Sequence, residues 1–431
     1  MTTERHLERD LPEVLGDLAM GPYPDYIDDV LATTAHRRQR PAWTFPERWL
    51  PMDLAAKALP GAARLPWRIV AVLALLLVLV AAMLAFYVGS QRRLPAPFGP
   101  AANGSIVFTA RGDIYAVDPR TGTTTAIVAS PATEIGPVYS LDGARVAFER
   151  KVEADTGPGL LFVVGDDGRR LVQVTPDPLM GLAGWSFSPD GRSIVALAKG
   201  DTGPAIMVAA TDGIVPPKFF DVGATLDDGA PQYRPDGLEI MFIGKETGAA
   251  NRGVYALDPS TGDVRTIIDG KVSGDVHLAA WSPDGTRIAY GAYDSAVAGG
   301  PSRTHVVSVD GTGDVAVDTH PERWQDAGGA WSNDGTRLII NRFYQTDAGE
   351  IVRSAIVPID RSSVGVEIEC PPSATADNCT ADWAWSPDDS VIVGGLGVDT
   401  VPMILVDPLT GRIRPAPWTG DGPPVWQRLA P

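Results

Sequence analysis

Cysteine is nearly absent from this chain: two residues in 431, with only five histidines beside them. Two cysteines cannot build a disulfide-stapled scaffold, and the domain must be held by packing instead. No Cys/His cluster has metal-ligand spacing, and no His-Glu-x-x-His occurs. The chain also lacks a Gly-x-Ser-x-Gly elbow and a phosphate-cradling Gly-Lys-Ser/Thr loop. These absences leave no residue to assign as catalytic, cofactor-binding or metal-ligating, and the chain reads as a non-enzyme. Positive charge is scarce as well: 36 Lys and Arg stand against 53 Asp and Glu, for a net charge of −17. From Leu94 onward the balance is 43 acidic to 25 basic residues, which excludes nucleic acid as a partner of that region.

What the chain has in abundance is one phrase. Trp281-Ser282-Pro283-Asp284-Gly285-Thr286-Arg287-Ile288 joins an aromatic residue, a turn and an aliphatic run. Variants turn on Asp142, Asp190, Asp236, Asp334 and Asp388, so that successive turns are 48, 46, 48, 50 and 54 residues apart. Tyr139, Phe187, Tyr233, Trp281, Trp331 and Trp385 precede those aspartates by three positions. Val146, Ile194, Ile240, Ile288, Leu338 and Ile392 follow by four. Ser-Pro-Asp-Gly suits a type I turn, with Pro presetting φ and Gly relieving strain at the fourth place. A strand-like repeat of this length predicts four-stranded blades arranged radially.

Six copies are complete, and a seventh is split. Asn103–Phe108 resembles the second half of the phrase, while Val425-Trp426-Gln427-Arg428-Leu429 supplies an aromatic strand just before the end of the sequence. An all-β, seven-bladed propeller closed by the C-terminal strand is expected, which removes two open sheet edges. A six-bladed ring with an irregular first segment is the alternative. The repeats resemble those of TolB-like β-propellers, relatives of the WD40-like group, over roughly Gly104 to the C-terminus. That resemblance implies the propeller fold and leaves function open among assembly scaffolds, sensors and peptidase propellers.

Upstream, Ile69–Val88 is a run of twenty uncharged residues. As a helix it would span about 30 Å, the thickness of a bilayer core. Trp67 and Tyr87 stand near its two ends. Arg48, Lys57, Arg64 and Arg68 before it outnumber Arg92 and Arg93 after it, so the N-terminus is expected inside and the propeller outside the cytoplasmic membrane of a bacterium. The expected parts are a tail over 1–66, a transmembrane helix over 67–88, a Pro-rich spacer over 89–102 and the propeller over 103–431. Cys370 and Cys379 lie in one Pro-rich insertion, where a disulfide is favoured over two free thiols in an oxidising compartment.

The tail holds a short helical pattern over Asp25–Arg38 with Ile27, Val30 and Leu31 on one face. Trp43, Phe45 and Trp49 follow, aromatics that need a covering surface. The layout resembles membrane-bound anti-sigma regulators, without the zinc-binding His and Cys pattern of many of them. It implies an extracytoplasmic module that recognises protein or peptide and relays to a cytoplasmic partner docked on those six residues. An envelope scaffold without signalling is the alternative, and a propeller enzyme is a third reading.

Overall fold

The computed structural model describes residues 74, 76–77, 99–151, 159–176, 184–200, 203–226, 229–293, 302–317, 324–346, 349–371, 378–379, 381–396 and 401–429. The chain divides into two units, Met1–Gln91 and Arg92–Pro431. In the first, only Ala74, Leu76 and Leu77 are described, all helical and exposed. Among the described residues no helix is long and apolar enough to cross a membrane, and most of Ile69–Val88 lies outside them.

The second unit is built on seven sheets, one per blade, antiparallel apart from a two-residue parallel pairing of Asn378–Cys379 with Gly349–Pro358 in blade 6. Blade 2 shows the plan. Glu134–Tyr139 is the inner strand, followed outward by Arg145–Lys151, Gly159–Gly165 and Val172–Gln173. Blades 3, 5, 6 and 7 begin with inner strands Trp185–Phe187, Asp275–Trp281, Trp324–Trp331 and Asp382–Trp385. In blade 4 the inner strand is broken into Ala224–Leu226 and Gln232–Tyr233, both pairing with Ile240–Glu246. Blade 1 takes its inner strand, Val425–Leu429, from the far end of the chain and its other three from Ala102–Ala110, Asp113–Val117 and Thr124–Val128. The ring is therefore seven-bladed and closed by the C-terminal strand.

The repeated phrase explains why the blades are alike. Each phrase aromatic sits directly opposite its aliphatic partner across the inner strand pair: Tyr139 with Val146, Phe187 with Ile194, Tyr233 with Ile240, Trp281 with Ile288, Trp331 with Leu338 and Trp385 with Ile392. Trp426 meets Ile106 in the same way across the closure. All seven aliphatic partners are fully buried. The turns behave as expected too. In five of them the serine hydroxyl donates to the turn aspartate, at 2.5–2.7 Å.

There is no single core. Seven apolar clusters occur among the described residues, and each lies between two neighbouring blades. Polar staples reinforce these seams. The indole N–H groups of Trp281, Trp331 and Trp385 donate to the carbonyls of Gln232, Ala280 and Ala330 on the preceding inner strand. Arg145 and Arg287 donate to the turn glycine carbonyl of the next blade, at 3.2 Å each. Arg287 also lies over the ring of Trp331, and Arg337 over that of Trp385. Because one blade alone buries only half its surface, stability grows by stacking and by closure.

Candidate functional site

The ring presents two faces. On the turn face lie the phrase turns; on the loop face lie the heads of the inner strands. The chain enters the propeller on the turn face, where Ala101 N–H donates to Pro387 O at 2.8 Å and Asn103 accepts from Asp388 N–H.

A polar knot gathers beside that entry. Asp389 occupies the place that glycine holds in the other turns and adopts φ 59°. Its carboxylate accepts from Asn333 N–H and Asp334 N–H at 2.7 and 2.8 Å, and from the Asn333 side chain at 2.9 Å. Burial pushes the Asp389 carboxyl up, against the pull of these donors. Arg428, from the inner strand of blade 1, donates to the Asn333 side-chain oxygen and to Gly99 O. The knot thus ties blades 1, 6 and 7 to the entering chain. Sequence reasoning missed it, although a signal was present: Asn333 and Leu141 replace the Pro of the phrase, and Asp389 is the residue that replaces its Gly.

The inner wall carries a second irregularity. Three residues before the aromatic, Gly136, Gly184 and Gly328 have φ of 65°, 69° and 67°, and Leu278 holds the same place at 51°. Pairing shifts around this position in blades 2, 5 and 6, as expected for a bulge. A branched side chain in this region costs on the order of 1 kcal/mol, and Leu278 is 55% exposed.

On the loop face, buried and half-buried acids are matched by bases. Glu134 accepts from Ser130 and Arg150 at 2.6 and 2.9 Å, Asp275 takes Arg252 through two side-chain nitrogens, and Asp326 faces Arg342 at 3.4 Å. His277 stacks on Tyr293 at 4.6 Å, with Nε2 3.2 Å from Ser302 Oγ. Ser302, however, donates its hydroxyl hydrogen to Asp326 O at 2.6 Å. The histidine is therefore not set to take that proton, and burial keeps its pKa below the usual value. The cluster is a set of polar contacts that holds strand heads together, with His277 Nδ1 and one Glu134 carboxylate oxygen buried without a hydrogen bond. No group of three or more potential metal ligands occurs among the described residues.

Blades 2 and 3 offer something different. A cleft of about 300 Å³ opens between their outer hairpins on the turn face, floored by Val163, Val164 and Val172 and edged by Arg145, Arg170 and Asp212. The hairpins abut there, since a Cβ at Gly213 would lie 2.7 Å from Val172. Beside the cleft stand Ile214 and Val215, 79% and 62% exposed, with Leu171 and Phe219 also exposed. Apolar residues placed in a turn signalled this surface, but nothing in the repeat pattern marked it.

Of the residues singled out in the sequence, the seven aromatics occupy the turn-side part of the inner strands; Tyr233 and Trp331 are half-buried and the other five buried. Ile27, Val30, Leu31, Trp43, Phe45 and Trp49 lie outside the described residues, as does the side chain of Cys379.

No protein-family model and no curated protein matches the chain. Many solved structures do. TolB from Acinetobacter baumannii is 14% identical, covering 78% of this chain and 68% of its own, with TM-score 0.44. An oligogalacturonate lyase from Vibrio parahaemolyticus is 13% identical over 73% of this chain and 86% of its own, with TM-score 0.50. A prolyl endopeptidase is 15% identical over 73% of this chain and 48% of its own, with TM-score 0.53. At such identities the likeness establishes the propeller fold and nothing about chemistry.

Proposed function

We propose that this chain is a single-pass membrane protein whose propeller stands outside the cytoplasmic membrane and recognises a protein or peptide of the cell envelope. The observation that carries this reading is the pair of exposed apolar residues Ile214 and Val215, which follow Asp212 at the edge of the cleft between blades 2 and 3. Contiguous exposed apolar surface on a soluble domain marks an interaction site. A closed ring presents it without the ordering cost that a mobile surface would add. The uncharged Ile69–Val88 run and the arginines before it support the anchor and its orientation. A bridge between Cys370 and Cys379 belongs to the same picture; Cys370 is engaged and no free cysteine occurs among the described residues. In this reading Ile27, Val30, Leu31, Trp43, Phe45 and Trp49 dock a cytoplasmic regulatory partner, in the manner of anti-sigma proteins.

A photo-crosslinking residue at position 214 in intact cells tests the proposal. The expected result is a crosslink to an extracytoplasmic protein that is lost when Val215→Asp is added. A crosslink to a cytoplasmic protein overturns the orientation, and none at all overturns recognition at this surface.

A further inference from the structure

The cleft between blades 2 and 3 is charged as well as apolar. Its blade 2 wall holds Ala144, Arg145, Arg170 and Val172, and its blade 3 wall Thr211 and Asp212. Contacts between the blades bound it on two sides. Arg145 Nη1 donates to Gly191 O across the inner turns at 3.2 Å, and Val172 packs against Gly213 across the outer ones. A chain can enter from the turn face, but it cannot run on between the blades.

Three observations define what would fit. Arg170 is exposed and has φ 60°, in the left-handed region. Gly313 takes the matching place in blade 5, at φ 68°. In both turns the preceding carbonyl accepts from the end of the third strand, Arg169 O from Gly165 N–H and Thr312 O from Ser308 N–H. Such strain on a residue with a β-carbon is kept where the side chain has a use. Next, the Arg170 guanidinium has no hydrogen-bond or ion-pair partner among the described residues, in a chain of net charge −17. Arg145 beside it donates to Gly191 O, with the nearest carboxylate, that of Asp142, 3.9 Å away. The acids at this rim are engaged by their own turns: Asp212 accepts from Ile214 N–H and Asp167 from Arg169 N–H, at 3.0 Å each. Lastly, about 300 Å³ is at the lower end for a ligand cleft, room for the end of a peptide and not for a length of it. Exposed Ala144 and half-buried Val172 offer apolar contact inside, and exposed Ile214 and Val215 lie just outside.

We propose that this cleft captures the free carboxyl terminus of a partner protein whose last residue is apolar. The proposal rests on the reading of this surface as the recognition site and names what enters it. A terminal carboxylate is joined through one carbon to its own side chain, so a negative charge and an apolar group arrive together. Two arginines beside an apolar floor match that pair. An acidic residue within a chain would bring its charge without the apolar group, and its chain would have to continue past the closed sides. The carboxylate meets Arg170 and Arg145, the last side chain lies on Val172, and the preceding residues leave across Ile214 and Val215.

A pool of synthetic peptides with free carboxyl ends, randomised over the last three residues and selected on the full-length protein in mild detergent, reads this directly. The retained peptides are expected to end in an apolar residue. Fluorescence anisotropy on one of them should show binding weakened about tenfold or more when its terminus is amidated, and by a similar factor in Arg170→Gly. The amide should bind the wild type and Arg170→Gly alike. Because that variant relieves the backbone, its melting temperature should hold or rise while binding falls; a purely structural arginine would give the opposite. Equal binding of acid and amide, an acid affinity untouched by Arg170→Gly, or no retained peptide overturns capture of a terminus, and leaves the crosslink at position 214 to decide recognition at this surface. Octanoate bound as tightly as the peptide overturns the ligand class. Carboxylate-dependent binding without any crosslink at 214 supports the site and removes the envelope reading.

Discussion

At the scale of single residues, the departures from the repeat are more informative than the repeat. Asp389 stands where glycine is expected, in the left-handed region, and three N–H groups converge on its carboxylate. Asp389→Ala keeps the backbone strain and orphans those donors, so a loss of about 3 kcal/mol is expected. Asp389→Gly also deletes the acceptor but relieves φ, and should cost about 1 kcal/mol less. Urea unfolding of the two variants checks the order; equal losses would mean that hydrogen bonding carries the whole effect. Leu278 is the other such residue, held in a bulge that blades 2 and 6 build on glycine. Neither was legible beforehand, because a phrase read as a consensus hides the positions at which one copy differs.

Among elements, the inner hairpin was fully legible, because its determinants lie within a dozen consecutive residues. The aromatic, the turn and the aliphatic specify register, and the register observed places every such pair face to face. The cleft was not legible, because its walls come from different blades, as with Val172 and Asp212. The turns also set a pH dependence. Asp190 is held below the usual carboxylate range chiefly by the Ser188 hydroxyl. In Asp284, Asp334 and Asp388 burial pushes upward, but hydroxyl and backbone N–H donors overcome it and bring Asp388 to about 2. Folded values below the unfolded one, near 4, mean that the unfolded chain takes up protons first as pH falls. This stabilisation is therefore complete above about pH 4 and is lost as pH drops toward 2. Asp382 and Asp389, raised by burial, act in the opposite sense but are fewer. Urea midpoints should be level from neutral pH to about 5 and fall steeply below 4, with a shallower fall in Ser386→Ala, which loses one donor to Asp388. An acid limb unchanged by that substitution would remove the turns as its cause.

For the whole molecule, closure is the decisive event, and it joins segments more than three hundred residues apart. Gln427 accepts from Ser105 N–H at 3.2 Å, 322 residues away, and donates to Gly143 O at 2.8 Å and Asp166 at 3.1 Å, reaching blade 2. Trp426 and Ile106 repeat the pairing that local sequence provides elsewhere. Closing so long a loop costs only slightly more than closing a shorter one, since the entropy grows with the logarithm of length. Burial of Trp426 and the bonds of Gln427 and Arg428 offset it. Truncation after Gly422 removes that strand and leaves the Ala102–Ala110 edge open, with Ile106 and Val107, both fully buried in the intact ring, newly accessible. The truncated protein should melt well below the full chain and self-associate, as thermal scans and sedimentation velocity would show. A synthetic peptide of residues 423–431 should restore both properties in trans, because the missing part is one strand with its own register and not a folded unit. If the truncated chain melts unchanged, the ring is held by its seven seams without a closing strand. If it melts early but the peptide gives no rescue, the strand serves folding and not the finished ring.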